Sequence, residues 1–274
     1  MTDVPMITLN DGVQIPQLGF GTYKLSDAEA ESAVSEALRV GYRHIDTASM
    51  YGNERGIGRA LAASGISRDQ VFVTTKLWND MHAPGPARIA INASLERLGL
   101  DAIDLYLIHW PATVAYGDSY IRAWDALQEF RSEGLVRSIG VCNFNPEHLD
   151  RLRGAVPSVD QVELHPRLVQ PLLHDDLQRR GIAMEAWSPL VRARILDEPV
   201  LNQIAAQTGR SPAQVVIRWH LQRGHIVIPK SAHPQRIAEN AAVFDFCLSD
   251  SQMDAITDLD RGERTGADPV TAAF

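Results

Sequence analysis

The sequence predicts an α/β fold: a (β/α)8 TIM barrel with an N-terminal β-hairpin and short extra helices towards its C-terminus. Three observations predict it. Eight short apolar, β-branched runs alternate with longer segments of helical spacing. The runs are nearly continuous in apolar residues, as parallel strands covered on both faces must be. The 274 residues suit one such barrel, and no linker or composition shift divides them, so residues 1–274 read as a single domain.

The elements follow in order. MITLNDGVQIP (6–16) sets Asn10-Asp11-Gly12 between alternating apolar positions, which is a hairpin signal. The eight strand runs are Gln17–Gly21, Tyr42–Asp46, Val71–Lys76, Ile103–His109, Ser138–Val141, Val159–Leu164, Ala183–Trp187 and Ile226–Pro229. Helices are expected at Asp27–Val40, Glu54–Ala63, Pro86–Leu98, Ser119–Arg131, Pro146–Arg153, Pro171–Arg180 and, as one longer stretch, Pro199–Gln222. Two more follow the last strand, at 234–242 and Ser249–Leu259. Ser26-Asp27 and Ser211-Pro212 are helix-start signals, and Gly41, Gly65, Gly134 and Gly181 stand where helices should stop.

Composition narrows the function. The formal net charge of −8 argues against binding nucleic acid or anionic lipid, because the overall field repels both. An anionic ligand would need a local basic cluster. Two cysteines, Cys142 and Cys247, do not make a disulfide framework and suit a reducing compartment. No signal peptide and no apolar run of membrane-spanning length is apparent, so the expected location is cytoplasmic.

In such a barrel the active site lies at the C-terminal ends of the strands. Asp46, Lys76 and His109 end three consecutive strands there, and Tyr51 follows Asp46 by five residues. Taken singly, each has an ordinary structural reading: a strand-end carboxylate, a loop tyrosine, a core histidine. Together they make a proton-donating site. Charges at strand ends should be paired, and Asp46 can pair Lys76. A lysine cation beside a tyrosine should lower the phenol's pKa from about 10 towards working pH. A histidine can orient a carbonyl by hydrogen bonding. Such a set holds no nucleophile and no metal, and suits carbonyl reduction if a cofactor supplies hydride. No G-x-G-x-x-G follows a strand, so a Rossmann site is not expected. Lys230, Ser231 and Arg236, after the eighth strand, offer a local anion site instead.

GYRHIDTASMYGNE (41–54), TTKLWND (74–80), LYLIHWP (105–111), IGVCNF (139–144) and IPKSAHPQRIAEN (228–240) resemble the signatures of the aldo-keto reductase family, in its order and over nearly the whole chain. The bacterial 2,5-diketo-D-gluconate reductase-like branch is the most similar. The resemblance implies NADPH as cofactor, a small carbonyl substrate, a monomer, and a catalytic tetrad of Asp46, Tyr51, Lys76 and His109, with Tyr51 as general acid. It implies that Asn143 and Gln161 hold the nicotinamide carboxamide beside Cys142, and that Trp187 stacks on the ring. Gly21 and Thr22 would lie near the cofactor, and Ser188 and Leu190 would line the pyrophosphate loop. Lys230, Ser231 and Arg236 would grip the 2′-phosphate, with Glu239 and Asn240 at the adenine. Tyr23, Trp78 and Trp110 would shape the substrate mouth.

The sequence departs from the family's pattern in three places. Cys142 stands where a serine is usual, Val191 where a glycine is usual, and Ala232-His233 where close relatives carry a bulkier apolar residue and a basic one. A metal-dependent hydrolase is disfavoured by the absence of convergent ligand motifs and by Lys76. The alternative of an NADPH-binding redox-sensing or regulatory subunit with little turnover would not require all four tetrad residues.

Overall fold

The computed structural model describes residues 4–274. It opens with the expected hairpin: β1 (Met6–Thr8) pairs antiparallel with β2 (Gln14–Pro16) around Gly12. Eight parallel strands then run side by side in sequence order. They are β3 (Phe20–Gly21), β4 (His44–Asp46), β5 (Phe72–Leu77), β6 (Ile103–Ile108), β7 (Val136–Cys142), β8 (Val159–Glu163), β9 (Ala183–Trp187) and β10 (Ile226–Val227).

The sheet closes on itself. Leu18 bridges Val227 in parallel, with the Gly19 amide donating to the Val227 carbonyl at 2.9 Å and the Val227 amide to Gln17 at 2.9 Å. Closure explains a glycine. A Cβ on Gly21 would stand 2.9 Å from the Ile228 carbonyl oxygen, so the first strand can meet the last only without a side chain there.

The helices are α1 (Asp27–Val40), α2 (Glu54–Ala63), α3 (Pro84–Leu98), α4 (Thr113–Tyr116), α5 (Ser119–Ser132), α6 (Pro146–Leu149), α7 (Pro171–Arg180), α8 (Pro199–Thr208), α9 (Pro212–Gln222), α10 (Pro234–Ala241) and α11 (Asp250–Thr257). The start and stop signals operate as expected. Ser26 accepts from the Glu29 amide in a capping box, and Gly41 ends α1 at φ 105°.

Two expected helices differ by more than a residue or two at their ends. The stretch Pro199–Gln222 is two helices, because Gly209 turns left-handed at φ 66° and Ser211, with Gln214, caps a fresh start. The expected helix Pro146–Arg153 stops at Leu149. The Arg153 guanidinium binds the carbonyls of Asp150 and Leu152, which satisfies backbone that a longer helix would have used.

Period-two alternation sends the two faces of each strand to different cores. Outward residues such as Ile45, Val73, Tyr106, Ile108, Val141 and Ala186 pack under the helices. Inside the barrel, Phe72, Leu105, Leu107, Val159 and Ile226 pack on Leu9 and Ile15 of the hairpin, which plugs the end where the strands begin. Burying a side chain of this size contributes roughly 1.5–3 kcal/mol, so the plug stabilises the barrel and leaves the other end for polar residues. Among the described residues no helix is long and apolar enough to cross a membrane.

Candidate active site

The C-terminal ends of the strands gather the predicted tetrad. Asp46 ends β4 and Lys76 lies one residue before the end of β5. The Lys76 Nζ donates to Asp46 Oδ1 and Oδ2 at 2.8 and 2.7 Å, and to the Thr47 carbonyl at 2.8 Å. Lys76 is fully buried. Burial works against its cation, but Asp46 more than offsets this, and its pKa stays above the ordinary lysine value. Burial pushes the Asp46 carboxyl upwards, against the pull of Lys76 and Gln161.

Tyr51 sits on a single 3-10 turn, Ser49–Tyr51. The Ser49 hydroxyl donates to the Lys76 carbonyl at 2.9 Å, which ties this turn to β5. The Lys76 Nζ lies 5.3 Å from the Tyr51 ring centre. One expectation needs correction here. Burial raises the Tyr51 pKa above its ordinary value, and the lowering by Lys76 only reduces that rise. The sequence shows the cation beside the phenol but not the solvent excluded around it. A raised pKa keeps the phenol protonated, which is the state a proton donor needs.

His109 follows β6, edge-on to Tyr51 at 5.7 Å and to Trp78 at 5.0 Å between ring centres. Burial, assisted by Lys76, holds its pKa well below the usual value, so the imidazole is neutral. Its Nδ1 is buried without a hydrogen-bond partner.

Asn143 and Gln161 stand beside this group. Asn143, in a left-handed conformation at φ 64°, donates from Nδ2 to the His109 carbonyl at 3.1 Å and accepts the Trp187 indole N–H at 2.9 Å. Its amide is therefore largely engaged within the protein. Gln161 donates to Asp46 at 2.8 Å and to Glu185 at 3.0 Å, and its oxygen meets only the Cys142 thiol, at 3.8 Å. Cys142 is buried, and burial raises its thiol pKa well above the ordinary value, so it is a weak donor and an unreactive thiol.

Thr22 is fully buried, and its hydroxyl donates to the Asp46 carbonyl at 2.9 Å. Its side chain is committed to holding the loop, and Gly21 answers to barrel closure, so neither offers a free polar group. Asn53, which the sequence reading missed, ties the same loops together. Its Nδ2 donates to the carbonyls of Thr22 and Leu25, and its Oδ1 accepts from Thr47. Its only sequence signal is its place within GYRHIDTASMYGNE, two residues after Tyr51.

The segment after β9 is strained. Ser188, Val191, Arg192 and Ala193 all have positive φ, Val191 at 52°. A left-handed valine costs roughly 1–2 kcal/mol. Full burial of its side chain among Ile195, Leu201 and Val215 contributes about as much or more, which is how a valine holds a place suited to glycine. Leu190 is half-buried there, and Arg192 and Arg194 are exposed.

The basic cluster lies after β10. Lys230 and Arg236 are exposed and form no ion pair among the described residues. Ser231 is buried, with its oxygen accepting from the His233 amide at 3.1 Å. Helix α10 begins there at Pro234 without a side-chain cap, so the Gln235 and Arg236 amides are free for an anion. Glu239 is half-buried and Asn240 buried on the same helix. A cleft of about 700 Å³ between α2 and α3 lies at the other end of the barrel. Its Arg59, Arg68 and Arg97 are paired to carboxylates, so it does not compete as the anion site.

The mouth is aromatic. Tyr23 is 44 % exposed and packs on Tyr51 at 5.0 Å. Trp78 and Trp110 meet Phe274, stacked at 5.9 Å and edge-on at 5.1 Å. The segment leading to Phe274 is anchored on Glu163, which accepts the Thr265 amide at 2.7 Å and the Gly266 amide at 3.1 Å. Gly266 lies against Trp187, where a Cβ would stand 2.4 Å from the ring. The sequence reading missed Phe274, since nothing local marks a contact spanning so much chain.

Residues 17–261 match the family model described as the aldo/keto reductase family. The chain is 50 % identical over 273 residues to an aldo-keto reductase of Mycolicibacterium smegmatis, with 98 % of each chain covered. It is 50 % identical over 275 residues to the methylglyoxal reductase DkgA of Yersinia pestis, again with 98 % of each covered. Among solved structures, an NADPH complex of a Gox0644 variant superimposes with a TM-score of 0.95 at 43 % identity, covering 99 % of this chain and 100 % of the other. A family match over most of the barrel and relatives half identical from end to end agree with the site's geometry: the chain belongs to the aldo/keto reductase family.

Proposed function

We propose that this aldo/keto reductase reduces small aldehydes and ketones, α-dicarbonyls such as methylglyoxal foremost, with Tyr51 as proton donor. It is an NADPH-dependent oxidoreductase by family. The substrate class and the role of each residue are our reading. The observation that carries it is the buried Lys76–Asp46 pair beside Tyr51, with neutral His109 edge-on to the same ring. DkgA of Yersinia pestis, a methylglyoxal reductase, supports the choice of substrate.

The residues present fit the cofactor. Lys230 and Arg236 are cations without a partner among the described residues, next to the uncapped start of α10, and suit a 2′-phosphate together with Ser231. The free oxygen of Gln161 suits a carboxamide N–H, with Asn143 beside it. Trp187 offers a ring face, Ser188 and Leu190 border the pyrophosphate loop, and Glu239 and Asn240 serve the adenine. Bound NADPH supplies the hydride. Tyr51 gives its proton to the carbonyl oxygen as negative charge develops there. Lys76 stabilises the phenolate left behind, Asp46 keeps Lys76 charged and in place, and His109 orients the carbonyl as a neutral hydrogen-bonding group. Tyr23, Trp78 and Trp110 wall the substrate off from water. The same reading takes the chain as one catalytic domain, a monomer in a reducing compartment, in keeping with two unpaired cysteines.

The test is Tyr51→Phe, followed by NADPH oxidation with methylglyoxal. A positioned general acid contributes about 10²- to 10⁴-fold, so kcat should fall by that factor while NADPH affinity stays unchanged. A variant retaining most of its kcat would assign the proton to another group.

A further inference from the structure

Glu185 lies in the middle of β9, fully buried on the inward face, in register with Gln161 of β8. Gln161 is in turn in register with Cys142 of β7. One nitrogen, Gln161 Nε2, makes both bonds that hold this row: to Glu185 Oε2 at 3.0 Å and to Asp46 Oδ2 at 2.8 Å. A primary amide has two N–H groups, and here both go to carboxyl oxygens. Turning the amide over would set its oxygen against Asp46 and lose the bond to that carboxylate. The amide therefore has one orientation, and its oxygen is left with only the Cys142 thiol, 3.8 Å away.

We propose that Glu185 is a positioning residue for cofactor recognition: with Asp46 it clamps the Gln161 amide so that Oε1 is presented to the carboxamide N–H of the nicotinamide. This rests on the NADPH reading above. It also accounts for how the chain tolerates a weak thiol donor at Cys142, because recognition is transferred to a rigidly held acceptor.

The charges around Glu185 allow this only for a neutral acid. It faces Asp46 and His44 on β4, Lys76 on β5, Cys142 on β7 and Gln161 on β8. Lys76 is the one cation of the group and is already matched by Asp46. Burial lowers the His44 pKa to about 3, so that ring is neutral. Burial, with Asp46 adding to it, pushes Glu185 up to about 8. At neutral pH the acid keeps its proton. The proton belongs on Oε1, which has no hydrogen-bond partner and lies 3.7 Å from His44 Nε2, while Oε2 accepts from Gln161. Glutamine is thus a close mimic of this residue, and leucine removes only the acceptor.

The experiment compares Glu185→Leu and Glu185→Gln with the unchanged protein at pH 7. Dissociation constants are measured by tryptophan fluorescence for NADPH and for its reduced 3-acetylpyridine analogue, which has no amide N–H. The unchanged protein should prefer NADPH by about 10-fold, the effect of one good hydrogen bond. Glu185→Gln should keep that preference. Glu185→Leu should bind NADPH several-fold more weakly, bind the analogue unchanged, and so lose most of the preference, Asp46 alone still holding the amide. Equal weakening of both ligands in Glu185→Leu would mean a merely structural role and overturn the proposal, as would lost discrimination in Glu185→Gln or full discrimination in Glu185→Leu. If Glu185→Leu does not fold, the Glu185→Gln result still decides. Failure of the unchanged protein to bind NADPH at all would instead overturn the cofactor reading.

Discussion

Lys76→Met isolates the buried ion pair. Methionine keeps much of the side-chain volume and removes the ammonium. Asp46 then keeps only the Gln161 donor, on Oδ2, and the Thr47 carbonyl loses its side-chain partner. Removing one member of a buried pair typically costs 3–5 kcal/mol, because the other is left uncompensated. For a chain of 274 residues that corresponds to about 5–9 °C in Tm. The carboxyl is already pushed upwards by burial, so it should take up a proton in the variant. Asp46→Asn in the same background should then recover much of the loss, and Asp46→Asn alone should also destabilise, by stranding the Lys76 cation. Urea unfolding of the two single variants and the double variant at pH 7 gives the coupling directly. A coupling of about 2–3 kcal/mol is expected. Simple additivity, within about 0.5 kcal/mol, would refute the argument that the two charges sustain each other.

Three further outcomes are expected. Lys230→Ala should weaken NADPH by about 10-fold or more and leave NADH unchanged, measured by fluorescence titration; equal loss for both would place the 2′-phosphate elsewhere. Phe274→Ala removes a ring stacked on Trp78 and edge-on to Trp110. It should raise KM for a small carbonyl by about 2- to 10-fold, the worth of an aromatic contact, with kcat and NADPH affinity retained in steady-state assays. Stability should peak near neutral pH. Burial depresses the pKa values of His44 and His225 to about 3 and His82 to about 4, and lowers those of His109 and His220. Their stabilising contribution is present above the unfolded value of 6.5 and is lost as pH falls. Glu185, raised to about 8, acts in the opposite sense: its contribution is present below 4.5 and fades as pH rises through 8. Calorimetric Tm should therefore fall on both sides of about pH 7, steeply on the acid side where these histidines, joined by His148, act together. A Tm that is level from pH 7 down to 4.5 would contradict these assignments.

The barrel was legible because its signals are local. Strand runs, capping serines and stop glycines act within a turn or two, so α1, α2, α7 and β9 match expectation residue for residue. The meeting of Asp46, Tyr51, Lys76 and His109 was legible because each ends, or closely follows, a strand that the fold delivers to one rim. What the sequence could not determine depends on sums over neighbours from several strands. Tyr51 stands beside a lysine, yet exclusion of water outweighs that cation. Glu185 reads as an inward residue of β9, and only its meeting with Gln161, Asp46 and His44 across the barrel makes it a neutral acid. Val191 reads as a departure from glycine, and only its burial against α8 and α9 shows what offsets its strained backbone. Local propensity and strand order follow from residues near in sequence. Desolvation, pairing and closure of the mouth depend on residues far apart in sequence, and so were decided only in the tertiary structure.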